Sequence, residues 1–162
     1  MSEISPYPAV GKAAPKFSLP SGTGEMISLE DFKGKQIVVL YFYPKADTPG
    51  CTVEACAFRD ALAEFDKGKI AVLGLSPDPV KKVAKFAEKF TLNFPLLADE
   101  DHSVCEKYGV WQEKSMYGRK YMGAMRVTFV IGKDGKVLHV FEKVKPAGHD
   151  VEVLEWIREN AL

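Results

Sequence analysis

The heptapeptide IVVLYFY, residues 37–43, is the most informative part of the chain for its fold. It is a continuous apolar run, rich in β-branched and aromatic side chains, and it contains no polar alternation. A strand that is buried on both faces has this composition, whereas a strand with one solvated face alternates between apolar and polar residues. We therefore predict that residues 37–43 form a strand at the centre of a sheet.

The segments that follow this strand alternate between helix and strand patterns. Residues 52–67 carry apolar side chains at helical spacing and end at Gly68, and residues 79–90 repeat that spacing. Short apolar runs at 70–75 and 94–97 have the length of buried strands. The predicted order from residue 37 onward is therefore β-α-β-α-β.

Two hairpins are predicted on either side of this unit. Residues 10–32 contain a turn between short apolar stretches and predict a loose N-terminal hairpin, after which Ser28 and Asp31 resemble a capping box. Strands at 127–131 and 136–142 flank Lys-Asp-Gly, which is a strong hairpin signal.

The other C-terminal segments are a short helix, an irregular stretch and a final helix. Asp99 or Asp101 is expected to cap the short helix, which ends at Tyr108, and residues 111–125 are expected to be irregular. The final helix is predicted over 150–160. The side chains expected to pack it are Val151, Leu154 and Ile157.

Together these elements predict an α/β fold with a central mixed β-sheet flanked by helices and an N-terminal β-hairpin extension. The order matches a thioredoxin-like fold, and periodicity alone leaves a flavodoxin-like sheet open. The chain has 162 residues, of which 46% are hydrophobic and 27% charged, and it shows no internal repeat or linker. Residues 1–162 are therefore expected to form a single domain.

The charge balance and the cysteine count argue against several classes of protein. Lysine plus arginine equal aspartate plus glutamate at 22 each, so no overall field attracts nucleic acid or an anionic membrane. Residues 1–19 contain no apolar targeting segment, which predicts a cytoplasmic protein. Three cysteines are too few, and odd in number, for a secreted disulfide framework.

Cys51 stands where the central strand has ended and the first long helix begins, within PKADTPGCTVEAC at residues 44–56. Unpaired backbone N–H groups and the helix dipole favour an anion there, and a thiolate is an anion. At helical spacing, Cys51 lies on the apolar face of the predicted helix, which is directed toward the core, and Cys56 lies on the face toward solvent. Their Cα atoms are roughly 8 to 9 Å apart in an intact helix, beyond the ~7 Å limit for a disulfide, so the two can bond only if the helix opens.

This segment resembles the atypical two-cysteine peroxiredoxins, specifically the bacterioferritin-comigratory-protein or PrxQ group. Pro44, Thr48 and Cys51 fit the Pro-x-x-x-Thr-x-x-Cys motif of the family. Cys56 fits the resolving position of this group, and Arg126 fits the family arginine. The resemblance covers nearly the whole chain and includes DEDH at 99–102, YGVW at 108–111 and DGK at 134–136.

The resemblance implies a thiol-dependent peroxidase that reduces hydrogen peroxide and organic hydroperoxides to water or alcohols. Cys51 would attack the peroxide and become a sulfenic acid, and Cys56 would resolve it as an intramolecular disulfide. Thioredoxin or a similar dithiol donor would reduce that disulfide. The resemblance implies no cofactor and no metal, and it favours a monomer.

The residues around the thiol take their roles from the same resemblance. Arg126, which is always charged, would hold the thiolate and the peroxide oxygens together. The Thr48 hydroxyl would donate to the peroxide and accept from it, while the N–H groups of Gly50 and Cys51 would stabilise the developing negative charge. Pro44 would restrict the loop and shield the thiolate from water.

Other interpretations of the same residues stay open. A thiol–disulfide oxidoreductase of thioredoxin-like fold is the main alternative, although the chain contains no Cys-x-x-Cys motif. A non-enzymatic holdase is the second, although no long exposed apolar segment supports it. Ligand types for zinc are also present, but their spacing matches no closed zinc module. Those residues are Cys51, Cys56, Cys105 and His102.

Several residues with chemical potential are expected to be structural. Cys105 is interpreted as a packed thiol without a chemical role. His102 and His149 are interpreted as residues at helix starts. A further aromatic and methionine cluster is expected to pack within a loop that could border the peroxide entrance; its members are Trp111, Tyr117, Met122 and Met125.

Overall fold

The computed structural model describes residues 5–162, so the first four residues of the domain predicted over 1–162 lie outside it. Its centre is a five-stranded mixed sheet. The three parallel strands are β3 (Ile37–Phe42), β4 (Ile70–Ser76) and β5 (Leu96–Ala98). The sheet continues antiparallel with β8 (Val127–Ile131) and β9 (Val137–Phe141), which gives the strand order β5-β4-β3-β8-β9.

The helices cover both faces of this sheet. Side chains of α1 (Pro49–Lys67), α2 (Val80–Lys89) and α4 (His149–Asn160) share one core with Val39 and Tyr41 of β3. The opposite core contains α3 (Ser103–Lys107) and the alternate side chains of β3, which are Val38, Leu40 and Phe42. All six residues of β3 are buried, which confirms the predicted central strand. The predicted mixed sheet with flanking helices is likewise confirmed.

The N-terminal hairpin is present as predicted. Strands β1 (Ser18–Pro20) and β2 (Met26–Ser28) pair antiparallel and are followed by a short 3₁₀ helix at Leu29–Phe32. The Ser28 N–H donates to the Asp31 carboxylate at 3.0 Å, as a capping box requires. The capping pair therefore fixes the start of this turn.

The stretch predicted to be irregular is a second hairpin, so that prediction was wrong. Strands β6 (Trp111–Met116) and β7 (Arg119–Ala124) pair antiparallel through all six residues. Tyr117 and Gly118 both have positive φ, 52° and 78°, as a two-residue hairpin turn of type I′ requires. The hairpin is solvated along most of its length, so it lacks the apolar alternation that would have revealed it. Because Tyr117 is 98% exposed, its predicted packing within a loop was also wrong.

Three further findings concern the helices. Helix α1 begins at Pro49 rather than at residue 52, so Cys51 lies inside its first turn. Helix α4 packs through Val153 beside Leu154 and Ile157, and the predicted packing of Val151 was wrong, because this residue is 53% exposed. The predicted capping of α3 is confirmed for both candidates: Asp99 accepts from the N–H groups of residues 104 and 105, and Asp101 accepts from that of residue 103. Over residues 5–162, no helix has the length and apolarity needed to cross a membrane.

Candidate active site

Cys51 lies in the first turn of α1, immediately beyond the carboxyl end of β3. Thr48 is the N-cap, with extended backbone, and Pro49 is the first helical residue, where its fixed φ favours helix initiation and its missing N–H leaves no donor unsatisfied. The Thr48 carbonyl accepts from the Thr52 N–H at 2.8 Å, which closes the first turn. The Cys51 side chain is almost fully buried, with 1% of the residue exposed. The inward orientation predicted from the helical phase is therefore confirmed.

Arg126 reaches Cys51 from the neighbouring strand. It directly precedes β8, whose Val127 is paired with Phe42 at the end of β3. Its Nη2 donates to the Cys51 Sγ at 3.3 Å, and its Nη1 donates to the Glu54 Oε1 at 2.7 Å. Burial opposes the charge on Arg126, but the Glu54 carboxylate and the Cys51 sulfur together raise its pKa above the ordinary value. A permanently charged guanidinium thus lies against the buried sulfur.

Glu54 is a member of the site that the sequence reasoning missed. It follows Cys51 by three residues, which places both side chains on the same face of α1, and it is fully buried. Burial raises its pKa to about 7, against the opposing effect of Arg126. Its second oxygen, Oε2, has no hydrogen-bond partner within residues 5–162. The sequence does contain a pattern that indicates this role. Glu54 is a carboxylate three residues after the thiol, and it lies on the face of the helix that is directed toward the core.

Glu54→Gln is expected to remove a pH dependence of stability. Because the pKa of Glu54 is raised by folding from 4.5 to about 7, the folded state binds more protons than the unfolded state between these pH values. The quantity to compare is the free energy of unfolding of the wild type minus that of Glu54→Gln. This difference should fall by up to about 3 kcal/mol as the pH rises from 4.5 to 7. Urea denaturation across this range measures the difference.

The matched control is Asp66→Asn, which removes an exposed carboxylate from the same helix. Its stability relative to the wild type should vary much less over the same pH range, because an exposed carboxylate is well solvated in both states. A pH profile of Glu54→Gln that runs parallel to the wild type would show that Glu54 has no raised pKa.

The loop from Pro44 to Gly50 brings the other predicted residues to the same end of the sheet. Pro44 is half-buried two residues after the end of β3, and the Thr48 hydroxyl donates to the Lys45 carbonyl at 2.9 Å. Gly50 lies against the arginine, since a Cβ at this position would be 3.1 Å from the Arg126 Nη2. A residue without a side chain therefore lets the guanidinium approach the first turn of α1.

The two remaining cysteines differ in their surroundings. Cys56 is half-buried on the more solvated side of α1, as its helical phase predicts. Cys105 is fully buried in the opposite core, and burial, with the nearby Asp99 carboxylate, raises the pKa of this thiol far above its ordinary value. The predicted packed thiol is confirmed. All three cysteines are free thiols in this structure.

Two further groups near the site were not anticipated. Lys114 of the β6–β7 hairpin is half-buried, and its pKa is lowered by burial and by the nearby Arg126. His149 starts α4, as predicted, but it is buried: its Nε2 lies 2.8 Å from the Thr128 hydroxyl and its Nδ1 lies 2.9 Å from the Glu152 carboxylate. Burial also lowers the pKa of His149, and the charge of Arg126 contributes to lowering the pKa of both groups, so the hairpin and the start of α4 both lie near the arginine.

Comparison with known proteins shows where this arrangement belongs. The sequence profile of the AhpC/TSA family matches residues 10–140. Peroxiredoxin Bcp of Escherichia coli is 53% identical over 151 residues, which are 93% of this chain and 96% of that protein. Peroxiredoxin Bcp of Bacillus subtilis is 44% identical over 150 residues, 93% of this chain and 95% of that protein. The chain therefore belongs to the AhpC/TSA family.

Solved structures agree with this assignment. PrxQ of Xylella fastidiosa is 33% identical with a TM-score of 0.90, covering 96% of this chain and 99% of its own. The bacterioferritin comigratory protein of Xanthomonas campestris, studied for alkyl peroxide reduction, is 38% identical with a TM-score of 0.85, covering 90% of this chain and 92% of its own. Within the family the chain is a peroxiredoxin of the Bcp/PrxQ group, a thiol-dependent peroxidase. The predicted thioredoxin-like fold and the predicted resemblance are both confirmed.

Proposed function

We propose that this protein reduces hydroperoxides with Cys51 as the attacking thiol and Cys56 as the resolving thiol. The observation that carries the proposal is the hydrogen bond from Arg126 to the buried Cys51 sulfur at the first turn of a helix. A positive charge and a helix N-terminus both stabilise a thiolate, and the thiolate is the nucleophile of cysteine chemistry. Among residues 5–162, no other cysteine sulfur accepts a hydrogen bond from an arginine.

The first step breaks the O–O bond of the peroxide. The Cys51 thiolate donates an electron pair to the terminal peroxide oxygen, and the other oxygen leaves with the bonding pair and takes up a proton to become water or an alcohol. Arg126 stabilises the charge that develops on the oxygens, helped by backbone N–H groups at Gly50 and Cys51. The Thr48 hydroxyl exchanges its bond to the Lys45 carbonyl for one to the peroxide, and Pro44 limits the access of water. Cys51 is left as a sulfenic acid.

The second step joins the two cysteines. The Cys56 thiolate attacks the sulfenic sulfur, the S–O bond breaks, and the oxygen leaves as water after protonation. Both residues lie in α1, where residues five apart have Cα atoms roughly 8 to 9 Å apart, too far for a disulfide. The first turns of α1 must therefore unwind before the disulfide forms.

A dithiol protein of the thioredoxin type then reduces the disulfide and returns both thiols. The free thiols of the structure suit a reducing compartment such as the cytoplasm, where such donors keep cysteines reduced. Each step of the proposed cycle uses groups from this one chain and the donor. The protein is accordingly proposed to act as a monomer.

The disulfide and the unwinding are tested together. After one equivalent of hydrogen peroxide, mass spectrometry is expected to show a Cys51–Cys56 linkage within one chain. Hydrogen exchange across residues 50–60 should be faster in this oxidised form than in the reduced form, because the hydrogen bonds of the first helical turns are lost. The Cys56→Ser variant is the control: it stops at the sulfenic acid, so its exchange across residues 50–60 should remain slower than in the disulfide form.

Two results would contradict the proposed cycle. A peroxide-dependent linkage that involves Cys105 would replace the assigned resolving residue. A Cys51–Cys56 bond that forms with unchanged exchange protection over residues 50–60 would exclude unwinding of α1 as the route to the disulfide.

A further inference from the structure

A groove lined by lysines runs between the loop that leads to Cys51 and helix α2. Its charged side chains are Lys45 from the loop and Lys82, Lys85 and Lys89 from α2, with Asp47 as the single acidic residue. We refer to these four lysines as the lysine groove. All four side chains are exposed. A chain with no net charge therefore presents one concentrated positive surface next to its candidate active site.

The charges of α2 are separated between its two sides. Glu88, its acidic residue, faces a different groove, which lies between α2 and the N-terminal hairpin. Lys89 pairs with Asp47 at 2.9 Å, which joins α2 to the loop. The other three lysines of the groove form no ion pair with any of residues 5–162. Their charges remain available to a partner.

One end of α2 is hydrogen-bonded to the side of α1 that carries Cys56. Arg59 lies three residues after Cys56, and its pKa is raised mainly by its hydrogen bond to Asp60 and also by the nearby Cys56 sulfur. The Arg59 guanidinium donates to the Phe90 carbonyl at 2.6 Å, at the end of α2. Phe90 directly follows Lys89, so this bond links the Cys56 side of α1 to the Lys89 end of the lysine groove.

We propose that the lysine groove is the docking surface for the reductant, and that the reductant is a dithiol protein with an acidic surface. This inference rests on the proposed function, because it assumes a Cys51–Cys56 disulfide. The donor's first thiolate attacks the Cys56 sulfur, the S–S bond breaks, and the Cys51 thiolate leaves. The donor's second thiol then displaces Cys56 and gains the disulfide, so two electrons pass to the peroxidase.

The physical reason is electrostatic attraction. Complementary charge raises the rate of association between proteins by about 10- to 1000-fold at low ionic strength, and salt reduces the gain. Small uncharged dithiols have no surface to dock, and their reaction with the disulfide should not depend on the groove.

The test compares two half-reactions in a charge-reversed variant, Lys82→Glu/Lys85→Glu. The preformed disulfide is mixed with a reduced thioredoxin of net negative charge, and the second-order rate constant is measured from low to high salt. The variant should react at least about tenfold more slowly at low salt, and should lose most of the salt dependence of the wild type. The rate of its reduction by dithiothreitol and the rate of its oxidation by hydrogen peroxide should equal those of the wild type.

The matched control is Lys35→Glu/Lys133→Glu, which makes the same change in net charge with two exposed lysines outside the groove. It should keep most of the wild-type rate with the acidic thioredoxin. An equal loss of rate in this control, or an equal loss with dithiothreitol, would overturn the docking surface. Recycling unaffected by Lys82→Glu/Lys85→Glu, with loss only of binding to phosphatidylglycerol vesicles, would assign the groove to a membrane surface instead.

The same experiment separates this inference from the proposed function. If hydrogen peroxide produces no Cys51–Cys56 disulfide in the wild type, the proposed function fails and the docking inference fails with it. If the disulfide forms and the acidic thioredoxin reduces it at the same rate in both double variants, only the docking inference is overturned.

Discussion

Cys51→Ser is expected to abolish the reduction of hydrogen peroxide while leaving the fold intact. A serine hydroxyl has nearly the shape of the thiol, but it does not ionise at neutral pH and cannot act as the nucleophile in this position. The loss should be complete within the sensitivity of a stopped-flow assay of peroxide consumption. Circular dichroism and urea denaturation would show that the variant still folds cooperatively.

Two other cysteine variants serve as controls for this result. Cys56→Ser should consume one equivalent of peroxide per chain and stop at the sulfenic acid, because the attacking thiol remains but the resolving thiol is missing. Cys105→Ser should turn over like the wild type, since Cys105 lies in the opposite core. Peroxide turnover at the wild-type rate in Cys51→Ser would exclude Cys51 as the nucleophile.

Arg126→Met is expected to slow the oxidation of Cys51 by about 100- to 1000-fold, the usual cost of removing one group that stabilises charge in the transition state. The guanidinium contacts the sulfur at 3.3 Å and no other cation within residues 5–162 donates to it. A stopped-flow measurement of the oxidation rate as a function of peroxide concentration tests this expectation.

Two further variants distinguish charge from geometry and folding. Arg126→Lys keeps the charge but lacks the paired donors that reach sulfur and carboxylate together, so its rate should lie between those of the wild type and Arg126→Met. Removing Arg126 alone leaves the buried Glu54 carboxylate without its partner, which is itself destabilising. The double variant Arg126→Met/Glu54→Gln leaves no unpaired buried carboxylate, and the oxidation of its Cys51 should still be slow. An unchanged oxidation rate in Arg126→Met would exclude a role for Arg126 in the reaction.

The parts of the fold that could be predicted from the sequence are those whose residues face a core. β3 was recognisable because both faces of the strand are buried, which leaves no polar position in its pattern. The burial of Cys51 followed from its phase relative to Phe58 and Phe65 in α1, both of which are fully buried. Patterns of this kind report burial directly, and burial determines most of the sheet and its helices.

Elements and residues whose position depends on distant neighbours could not be predicted in the same way. The β6–β7 hairpin is mostly solvated, so its strands are defined by a turn at Tyr117 and Gly118 and not by an apolar face. The burial of Glu54 depends on Arg126, which is 72 residues away and reaches it through the pairing of β8 with β3. The contact between His149 and Thr128 likewise joins two elements that are separate in sequence. Proximity in sequence carries no information about such contacts.

The hydrogen bonds of Arg126 also link the chemistry of the sulfur to the stability of the first turn of α1. In the reduced protein the guanidinium joins this turn to β8 by two charge-assisted bonds, one to Cys51 and one to Glu54. In the proposed cycle, oxidation converts the Cys51 thiolate into an uncharged sulfenic acid, so the bond from the guanidinium loses the attraction between opposite charges. The free energy needed to open the turn is therefore lower after oxidation than before it. In the proposed cycle we therefore expect the helix to stay closed in the reduced protein and to open more readily once Cys51 is a sulfenic acid that Cys56 can attack.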